Sequence, residues 1–391
     1  MSYRSILEYI HSLAKIYFKA SKKDKGKMLD HATQVTGLHR KSLMRLLKNQ
    51  KEFLNGKKRC GARVKYSSDL LLPHIEYLWV EIGKLSAKRM KAAYIDWLPP
   101  YNENGVTNNI KFLLQKMSST TLGRFLKKIR ENQEQKSRGL CSTHPAQYMQ
   151  NKVPINTLDS TVTREGYIQA DTVAHCGTKL EGNFISSLTL TDIHSTWTAN
   201  RALYTKKGPI VKKALNHMID NLPFDILAIN TDSGSEFLNI PVYNNFQKKK
   251  ITFTRSRPYK KNDNCYVEQK NYTHTRELFG YQRFDDHDLV RLMNDIYENY
   301  WNPLLNFFIP TFKIKEKIRI GGRIKKKYGP PITPYQRLMD SNNISEKKKI
   351  ELAEQKKKLN PFELKKELDR KLQHFFNVVI ELEKLKNRGP L

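Results

Sequence analysis

The sequence has few cysteines, no long apolar run and a deficit of acidic side chains. Four cysteines occur among 391 residues, far apart and without a CxxC pair, which argues against a disulfide framework or a zinc knuckle and fits a reducing cytosol. No apolar run reaches the roughly 18 residues of a membrane-spanning helix, and the N-terminal segment has no secretory pattern. We therefore expect a protein of the cytoplasm that does not enter the membrane.

Basic residues are concentrated at the two ends of the chain. Lys and Arg number 70 against 38 Asp and Glu, for a formal net charge of +32. Residues 1–150 hold 29 basic and 11 acidic side chains, residues 151–310 hold 19 and 17, and residues 311–391 hold 22 and 10. This distribution favours a polyanionic partner, because basic side chains near phosphates release condensed counterions. A generally basic composition with solvated lysine faces is the alternative.

The N-terminal segment predicts two short helices joined by a turn. Apolar residues recur at helical spacing in Lys25–Val35 and again in His39–Lys48, with Gly37 between the two segments. A second helix with a basic outer face is typical of a DNA-binding helix-turn-helix, although ordinary helical hairpins share the pattern. The residues of that face that we expect to contact DNA are Arg40, Lys41 and Arg45.

A similar helical segment follows. Asp69–Gly83 and Ala87–Leu98 are apolar on one face, residues 99–109 form a polar loop with Pro-Pro and Asn-Gly, and a further helix runs to about Arg130. We interpret this segment as a second helix-turn-helix. Its expected DNA contacts are Arg124 and Lys127.

The hydrophobic period changes after Gly166. Three β-branched or aromatic runs, GYIQADTVAH, NFISSLTLTD and TWTANRALY, predict three successive strands. A helix is predicted over Gly208–Asn221, and the apolar run FDILAINTD predicts a strand buried on both faces. A strand meander followed by strand–helix–strand crossovers predicts a mixed sheet covered by helices.

Three carboxylates stand out in this central segment. Asp171 lies inside the first predicted strand, Asp232 ends the buried strand, and Glu268 lies in the first turns of a helix, with 35 residues between the last two. Carboxylates at the ends of neighbouring strands converge in space and repel one another. Divalent cations with hard oxygen ligands, Mg²⁺ or Mn²⁺, relieve that repulsion. Two such ions about 4 Å apart can hold the attacking and leaving oxygens of a phosphoryl transfer.

This pattern resembles the DD(35)E signature of the retroviral-integrase-like transposases of bacterial insertion sequences. TDSGSEF resembles the family's T/S-D-x-G-x-E-F, and SRPYKKNDNCYVEQKN resembles its S-[KR]-P…D-N-x-x-x-E-x-x-N. LTDIHSTW resembles the family's second-strand motif, and YGPPITPYQRLMDS resembles the segment after the core, where an arm runs along DNA. The resemblance covers about residues 160–341.

The resemblance implies a ribonuclease-H-like core, with a mixed five-stranded sheet, that binds two Mg²⁺ (or Mn²⁺) ions. Asp171 would contact both ions, Asp232 would complete one site, and Glu268 would complete the other. The implied reaction frees a 3′-hydroxyl at the element's end and joins it to target DNA without a covalent protein–DNA intermediate. The DNA contacts implied around the loop before Glu268 are Arg257, Lys260, Lys261 and Asn264.

Other titratable residues have simpler interpretations. The motifs place Asp192 and Glu236 beside the triad and not in it, and His175 is expected to be a neutral structural histidine. The acidic cluster 285–288 is expected to supply charge at the start of a helix. Retroviral integrases carry a His₂Cys₂ zinc module, whose spacing is absent from this sequence, so no zinc module is expected.

The predicted architecture is a multidomain chain: all-α helix-turn-helix modules, an α/β core, and a basic arm with a helical tail. Its predicted function is that of a DNA transposase that acts in the cytoplasm, associated with the nucleoid. Double-stranded DNA, as terminal repeats and target, and further copies of the chain on paired ends are the expected partners. A transposase-derived DNA-binding regulator and a hydrolysis-only nuclease are the alternatives. The predicted segments are 1–65, 66–135, 136–160 (linker), 161–310 (core), 311–341 (arm) and 342–391 (tail).

Overall fold

The computed structural model describes residues 3–48, 65–131, 162–257, 264–321 and 323–387. The chain divides into two compact units, Met1–Lys65 and Tyr66–Leu391. The predicted linker, 136–160, lies outside the described residues.

The described residues of the first unit form three helices, α1 (Tyr3–Tyr17), α2 (Lys22–Thr36) and α3 (Arg40–Lys48). Ser21 caps α2 by accepting a hydrogen bond from the Asp24 N–H at 3.2 Å. Gly37 ends α2 with a φ of +68°, which glycine adopts at little cost. The predicted pair of helices is therefore present. The residues that form the core of this unit are Ile6, Ile10, Ala14, Leu29, Ala32, Leu43 and Leu47.

The second unit begins with four helices, α4 (Ser68–Glu81), α5 (Ala87–Trp97), α6 (Asn108–Lys116) and α7 (Ser119–Glu131). Three of them follow the predicted segments. The helix α6 begins at Asn108, within the predicted loop, because Thr107 caps it and two of its own residues, Ile110 and Leu114, are buried. The helices α4 to α7 share a hydrophobic core with the sheet described next.

A five-stranded sheet lies at the centre of the second unit, in the order β3-β2-β1-β4-β5. The strands β1, β2 and β3 are antiparallel neighbours, whereas β4 runs parallel to both β1 and β5. The predicted mixed five-stranded sheet with surrounding helices is therefore confirmed. The strand bounds are Tyr167–Ala174 (β1), Ser186–Asp192 (β2), Thr198–Leu203 (β3), Ala228–Thr231 (β4) and Thr252–Arg255 (β5).

Four helices of this unit follow or connect the strands. The crossovers into β4 and β5 carry α8 (Gly208–Asp220) and α9 (Ile240–Lys248). The helix α10 begins with Cys265–Lys270, widens into a π-helical segment at Asn271–Arg276 and ends with Glu277–Phe279. The helix α11 has the same pattern, with segments Asp288–Ile296, Tyr297–Trp301 (π-helical) and Asn302–Phe308.

The predicted basic arm contains an antiparallel hairpin of β6 (Ile314–Ile320) and β7 (Arg323–Tyr328), followed by α12 (Pro334–Met339). The predicted tail forms α13 (Glu346–Lys357) and α14 (Pro361–Asn387). Phe375 of α14 is fully buried against Phe279 and Phe284. The tail is thus packed into the hydrophobic core of the second unit.

Candidate active site

Asp171 and Asp232 lie next to each other where the parallel pairing of the central strands β1 and β4 ends. The strands β1 and β4 are parallel, and their register places Ala170 opposite Thr231. The residues that follow this pair are Asp171 and Asp232, so both carboxylates leave the backbone at the same level of neighbouring strands. The structure therefore brings two of the three predicted catalytic residues together.

The protonation of the two aspartates reflects this crowding. Desolvation, followed by the charge of Asp232, raises the pKa of Asp171 to about 8, although the Thr172 N–H donates to its Oδ1 at 2.7 Å. Desolvation, followed by the charge of Glu236, raises the pKa of Asp232 to about 6. Two carboxylates with raised pKa values and little compensating charge are typical of a functional site.

Glu268 belongs to the same electrostatic group. It lies one turn into α10 with an exposed side chain, and its charge adds to the rise in the pKa of Asp232. Among the described residues, however, no three His, Cys, Asp or Glu side chains already have the arrangement of a metal site. The two aspartates therefore form the centre of the candidate site, and Glu268 lies close enough to act on it electrostatically.

A neighbouring ion pair holds Glu236 beside the two aspartates. Its Oε1 accepts hydrogen bonds from Thr172 Oγ1 at 2.7 Å and from Lys206 Nζ at 2.9 Å. Burial raises the pKa of Glu236, but Lys206 and Thr172 together lower it by more than burial raises it. The net shift of this pKa is therefore downward. Glu236 is thus ionised and its charge is paired with that of Lys206. No sequence motif pointed to Lys206 or to Thr172.

Gly234 is required at this site by lack of space. A Cβ at this position would lie 2.5 Å from Glu236 Oε2 and 3.0 Å from Asp232 Oδ1. The Gly234 N–H also donates to Asp232 Oδ1 at 3.0 Å. Gly234 is not among the glycines with positive φ, so its role is the close approach of two carboxylates and not an unusual backbone angle.

Asn271 connects α10 to Asp171. Its Nδ2 donates to Asp171 Oδ2 at 2.6 Å, whereas its own Oδ1 is buried without a hydrogen-bond partner. An orphaned amide oxygen beside two carboxylates of raised pKa provides the hard oxygen donors that Mg²⁺ or Mn²⁺ prefers. The residues present therefore fit the divalent ion that the sequence motifs imply.

Gln169 fixes the start of α10 against β1. Its Oε1 accepts hydrogen bonds from the backbone N–H groups of Tyr266 and Val267 at 3.1 and 3.2 Å. These N–H groups belong to the first turn of the helix, where no intrahelical acceptor exists. Gln169 lies two residues before Asp171, so it sets the position of Glu268 relative to that aspartate. No sequence pattern pointed to this residue, since a glutamine inside a strand carries no recognisable signal.

Asn264 lies in the interior, next to β5. Its Oδ1 lies 2.7 Å from Ser256 Oγ, which in turn lies 2.9 Å from Asn230 Oδ1. The side chain of Asn264 thus joins the end of β5 to the start of α10. Its predicted DNA contact stays a prediction.

The other predicted DNA contacts are exposed where the structure describes them. Arg40 forms an ion pair with Asp30, and Lys127 lies 3.8 Å from Glu131. Lys41, Arg45, Arg124 and Arg257 also have exposed side chains. Lys260 and Lys261 lie outside the described residues. Contact with DNA stays a prediction for this whole set.

His175 and Asp192 have structural roles. His175 is fully buried, burial lowers its pKa to about 3, and its Nε2 lies 2.8 Å from Ser187 Oγ, as expected for a neutral histidine. Asp192 accepts hydrogen bonds from the N–H and Oγ of Ser195, both at 2.6 Å, and from the Gly166 N–H at 2.9 Å. It therefore shapes the turn between β2 and β3.

In the described ranges, no helix combines the length and apolarity that crossing a membrane requires.

Comparison with solved structures finds a similarity with a low TM-score. No family model matches the chain. Among solved structures, the catalytic core domain of BIV integrase in crystal form I is 18% identical, and the alignment covers 45% of this chain and 94% of that chain with a TM-score of 0.28. At that TM-score the similarity carries no argument.

Comparison of sequences gives a relative that matches over most of its length. The uncharacterized protein y4rM of Sinorhizobium fredii is 30% identical over 339 residues, which cover 84% of this chain and 94% of y4rM. An alignment of this length includes most of both proteins. The chain therefore belongs to the same protein family as y4rM.

Proposed function

We propose that this protein is a DDE transposase, a metal-dependent polynucleotidyl transferase that cuts DNA at the ends of a mobile element and joins the 3′ ends to target DNA. The observation that carries the proposal is the adjacency of Asp171, within β1, and Asp232, directly after the parallel strand β4, with Glu268 acting on Asp232 from α10. The sequence motifs around all three residues agree with this assignment.

The carboxylates of Asp171, Asp232 and Glu268 are the groups that would hold two Mg²⁺ or Mn²⁺ ions. When bound, such ions supply charge neutralisation at the transferring phosphate and lower the pKa of an attacking water. Asn271 orients Asp171 through its 2.6 Å hydrogen bond. Gln169 and the Lys206–Glu236 pair keep α10 and the loop after β4 in place.

Positioning is the main contribution that the protein makes to such a reaction, since phosphoryl transfer needs little acid–base chemistry from side chains.

The basic faces of α3 and α7 are the proposed surfaces for terminal-repeat DNA, with Arg40, Lys41 and Arg45 on the first and Arg124 and Lys127 on the second. Arg257, Lys260, Lys261 and Asn264 are the proposed contacts next to the active site. Joining two ends in one reaction requires a homo-oligomer on paired ends. The proposed setting is the cytoplasm.

A DNA-joining assay tests the proposal. The purified chain is given Mg²⁺ and a labelled duplex taken from the DNA that flanks its gene, and both nicked and joined products are measured. Asp232→Asn should abolish both products and leave DNA retention intact, because the carboxamide cannot neutralise a cation. Asp220→Asn is the matched control, since Asp220 is exposed on α8 and its partner is Lys249.

The outcomes separate the three functions. Joined products from the wild-type chain support the transposase, and nicks without joined products support the nuclease. DNA retention with neither product supports the regulator. If Asp232→Asn still cuts, the proposed metal site is wrong.

A further inference from the structure

Three asparagines of α11 cover the outer edge of β3, the first strand in the order of the sheet. Each side-chain amide accepts a hydrogen bond from the backbone N–H of one strand residue and donates to the carbonyl oxygen of the same residue. The pairs, with all bonds between 2.7 and 3.3 Å, are Asn294 with Ala202, Asn302 with Asn200, and Asn306 with Thr198. These alternate strand residues direct their backbone groups away from β2. The helix α11 is therefore fixed to the edge of the sheet.

The wide turn of α11 lies between these anchors. It covers Tyr297–Trp301, and the Asn302 N–H closes it by donating to the carbonyl oxygen of Tyr297, five residues earlier. Tyr297 is fully buried, and its hydroxyl donates to Ser187 Oγ on β2 at 2.8 Å. Asn294 precedes the wide turn and Asn302 follows it, so the sheet holds both of its ends.

Trp301, the last residue of this turn, contacts the wide turn of α10. Its indole Nε1 donates to the backbone carbonyl oxygen of His274 at 2.8 Å, and the centroids of the two rings are 6.2 Å apart. His274 is 4% exposed and belongs to the π-helical segment Asn271–Arg276. The Glu277 N–H closes that segment by donating to Tyr272 O, again five residues earlier. The wide turns of the two helices thus meet at Trp301 and His274.

The wide turn of α10 also contacts the strand that carries Asp171. Its first residue, Asn271, donates to Asp171 Oδ2 at 2.6 Å, and Glu268 lies about one turn earlier on the same helix. Its last residue, Arg276, donates to the carbonyl oxygen of Ala174 at 2.9 Å, at the end of β1. A displacement of this segment would therefore move Asn271 and Glu268 relative to Asp171.

We propose that Trp301 is a positioning residue of the active site, which transmits the fixed position of α11 to the wide turn of α10 and so holds Asn271 and Glu268 beside the two aspartates. This inference rests on the proposed function, because it concerns the geometry of the same carboxylates. Helices widened in this way are frequent at functional sites. Loss of the indole N–H then weakens metal binding, although it changes no charge at the site.

Two tryptophan variants make the same chemical change at different places. Trp301→Phe removes the indole donor and keeps an aromatic ring beside His274. Trp79→Phe on α4 is the matched control, since Trp79 is also largely buried and its Nε1 donates to the carbonyl oxygen of Leu85 at 2.9 Å. Melting temperatures of the two full-length variants establish that each one is folded.

Hydrogen exchange of the full-length chain, without DNA or metal, reports on α10 directly. Trp301→Phe should exchange faster than the wild type over residues 265–279, because the wide turn has lost a contact that holds it. Trp79→Phe should match the wild type over the same residues. The role of Trp301 is overturned if the two variants exchange equally in this segment.

Metal binding and cutting provide the functional readouts. The affinity for Mn²⁺, measured by electron paramagnetic resonance of the free ion, should fall about tenfold in Trp301→Phe, as is typical when a group that orients metal ligands is removed. This variant should also cut more slowly at saturating duplex, with DNA retention as in the wild type. An unchanged affinity for Mn²⁺ would make Trp301 a packing residue and overturn the inference.

A second pair of variants keeps the test decisive if Trp301→Phe does not fold. Asn302→Leu breaks the anchor next to Trp301, and Asn299→Leu is its control, because Asn299 is an exposed residue of the same wide turn. Exchange in residues 265–279 should rise in Asn302→Leu and not in Asn299→Leu. Equal exchange in these two variants would contradict the transmission from α11 to α10.

Failure of the proposed function would give a different result. A wild-type chain that neither binds Mn²⁺ nor yields nicked or joined products removes the transposase assignment, whereas faster exchange of α10 in Trp301→Phe would still support the hold of Trp301 on that helix. Conversely, an active wild type whose Trp301→Phe variant keeps the exchange, Mn²⁺ affinity and cutting of the wild type removes only the role of Trp301.

Discussion

The side-chain oxygen of Gln169 on β1 accepts a hydrogen bond from the backbone N–H of Val267 at 3.2 Å. The strand that carries Asp171 thereby holds the helix that carries Glu268. Gln169 is fully buried, as is Val267, so water cannot replace this contact. The relative position of two proposed catalytic residues thus depends on an uncharged residue that takes no part in the chemistry.

Replacement of Gln169 by leucine should therefore impair both stability and catalysis. The apolar side chain would leave the N–H groups of Tyr266 and Val267 without their acceptor, which costs about 1–3 kcal/mol in a buried setting. Urea unfolding measures this loss, and the joining assay should show a larger loss of cutting than of DNA retention. Gln115→Leu, at an exposed position on α6, is the matched control and should leave both quantities nearly unchanged.

Gly234→Ala should be destabilising, in contrast to glycine-to-alanine changes at helical positions with free space. The new Cβ would lie 2.5 Å from a carboxylate oxygen of Glu236, whose side chain Thr172 and Lys206 hold in place, and overpacking of this kind costs about 1–3 kcal/mol. Gly123→Ala in α7 is the control, since its Cβ would meet Ala87 at 3.6 Å. That change should stabilise the protein by about 0.5–1 kcal/mol. Opposite signs in denaturant unfolding support the steric assignment, and equal signs contradict it.

Stability should depend on pH through Asp171, and Mg²⁺ should counteract that dependence. The pKa of Asp171 is raised from 3.8 to about 8 in the folded chain, so the folded state retains a proton that the unfolded state loses. Without metal, its contribution to stability is most favourable below about pH 4 and falls as the pH rises to about 8. Bound cations favour the ionised carboxylate, so the increase in melting temperature on addition of Mg²⁺ should be larger at high pH.

The comparison variant for this prediction is Asp171→Asn, which removes the titrating group. The difference in melting temperature between the wild type and this variant, measured without metal from pH 5 to 9, isolates the contribution of Asp171 from the other charges. The melting temperature of the wild type should fall relative to that of Asp171→Asn as the pH rises. A difference that is independent of pH would show that Asp171 has an ordinary pKa.

Phe375→Ala should show that the tail belongs to the core of the second unit. Phe375 is fully buried against Phe279 and Phe284, and truncation of such a side chain costs about 3–5 kcal/mol. Ile380→Ala, at a position of the same helix that is 49% exposed, should cost much less. Similar small losses at both positions would mean that α14 is a detachable appendage.

The sequence was most informative where a single local pattern determines the structure. The alternation around Asp171 and the apolar run before Asp232 predicted two strands, and the convergence of strand ends predicted their adjacency. The spacing of apolar residues predicted α2 and α3. These features depend on the periodicity of neighbouring residues, which the sequence shows directly.

The contacts that hold the site together were not predictable in this way. Gln169 and Lys206 act on residues 97 and 30 positions away, respectively, and polar residues of this kind occur throughout the chain. The apolar residues of the tail are concentrated in HFFNVVIELEKL, which contains Phe375 and Val379, yet Leu364 and Leu368 outside that run are buried as well. Which of several weak apolar positions becomes buried is decided by the partner surface.

The widened turn of α10 has a consequence for any change in its length. A regular α-helix rotates by about 100° per residue, and a π-helical segment accommodates one additional residue within a turn. Removal of one residue from Asn271–Arg276 would restore regular winding. Because the wide turn already absorbs that residue, Glu268 would keep about the same orientation relative to Leu278 and Phe279, which are anchored in the core. The wide turn thus lets the helix carry an additional residue without turning the proposed third carboxylate away from Asp232.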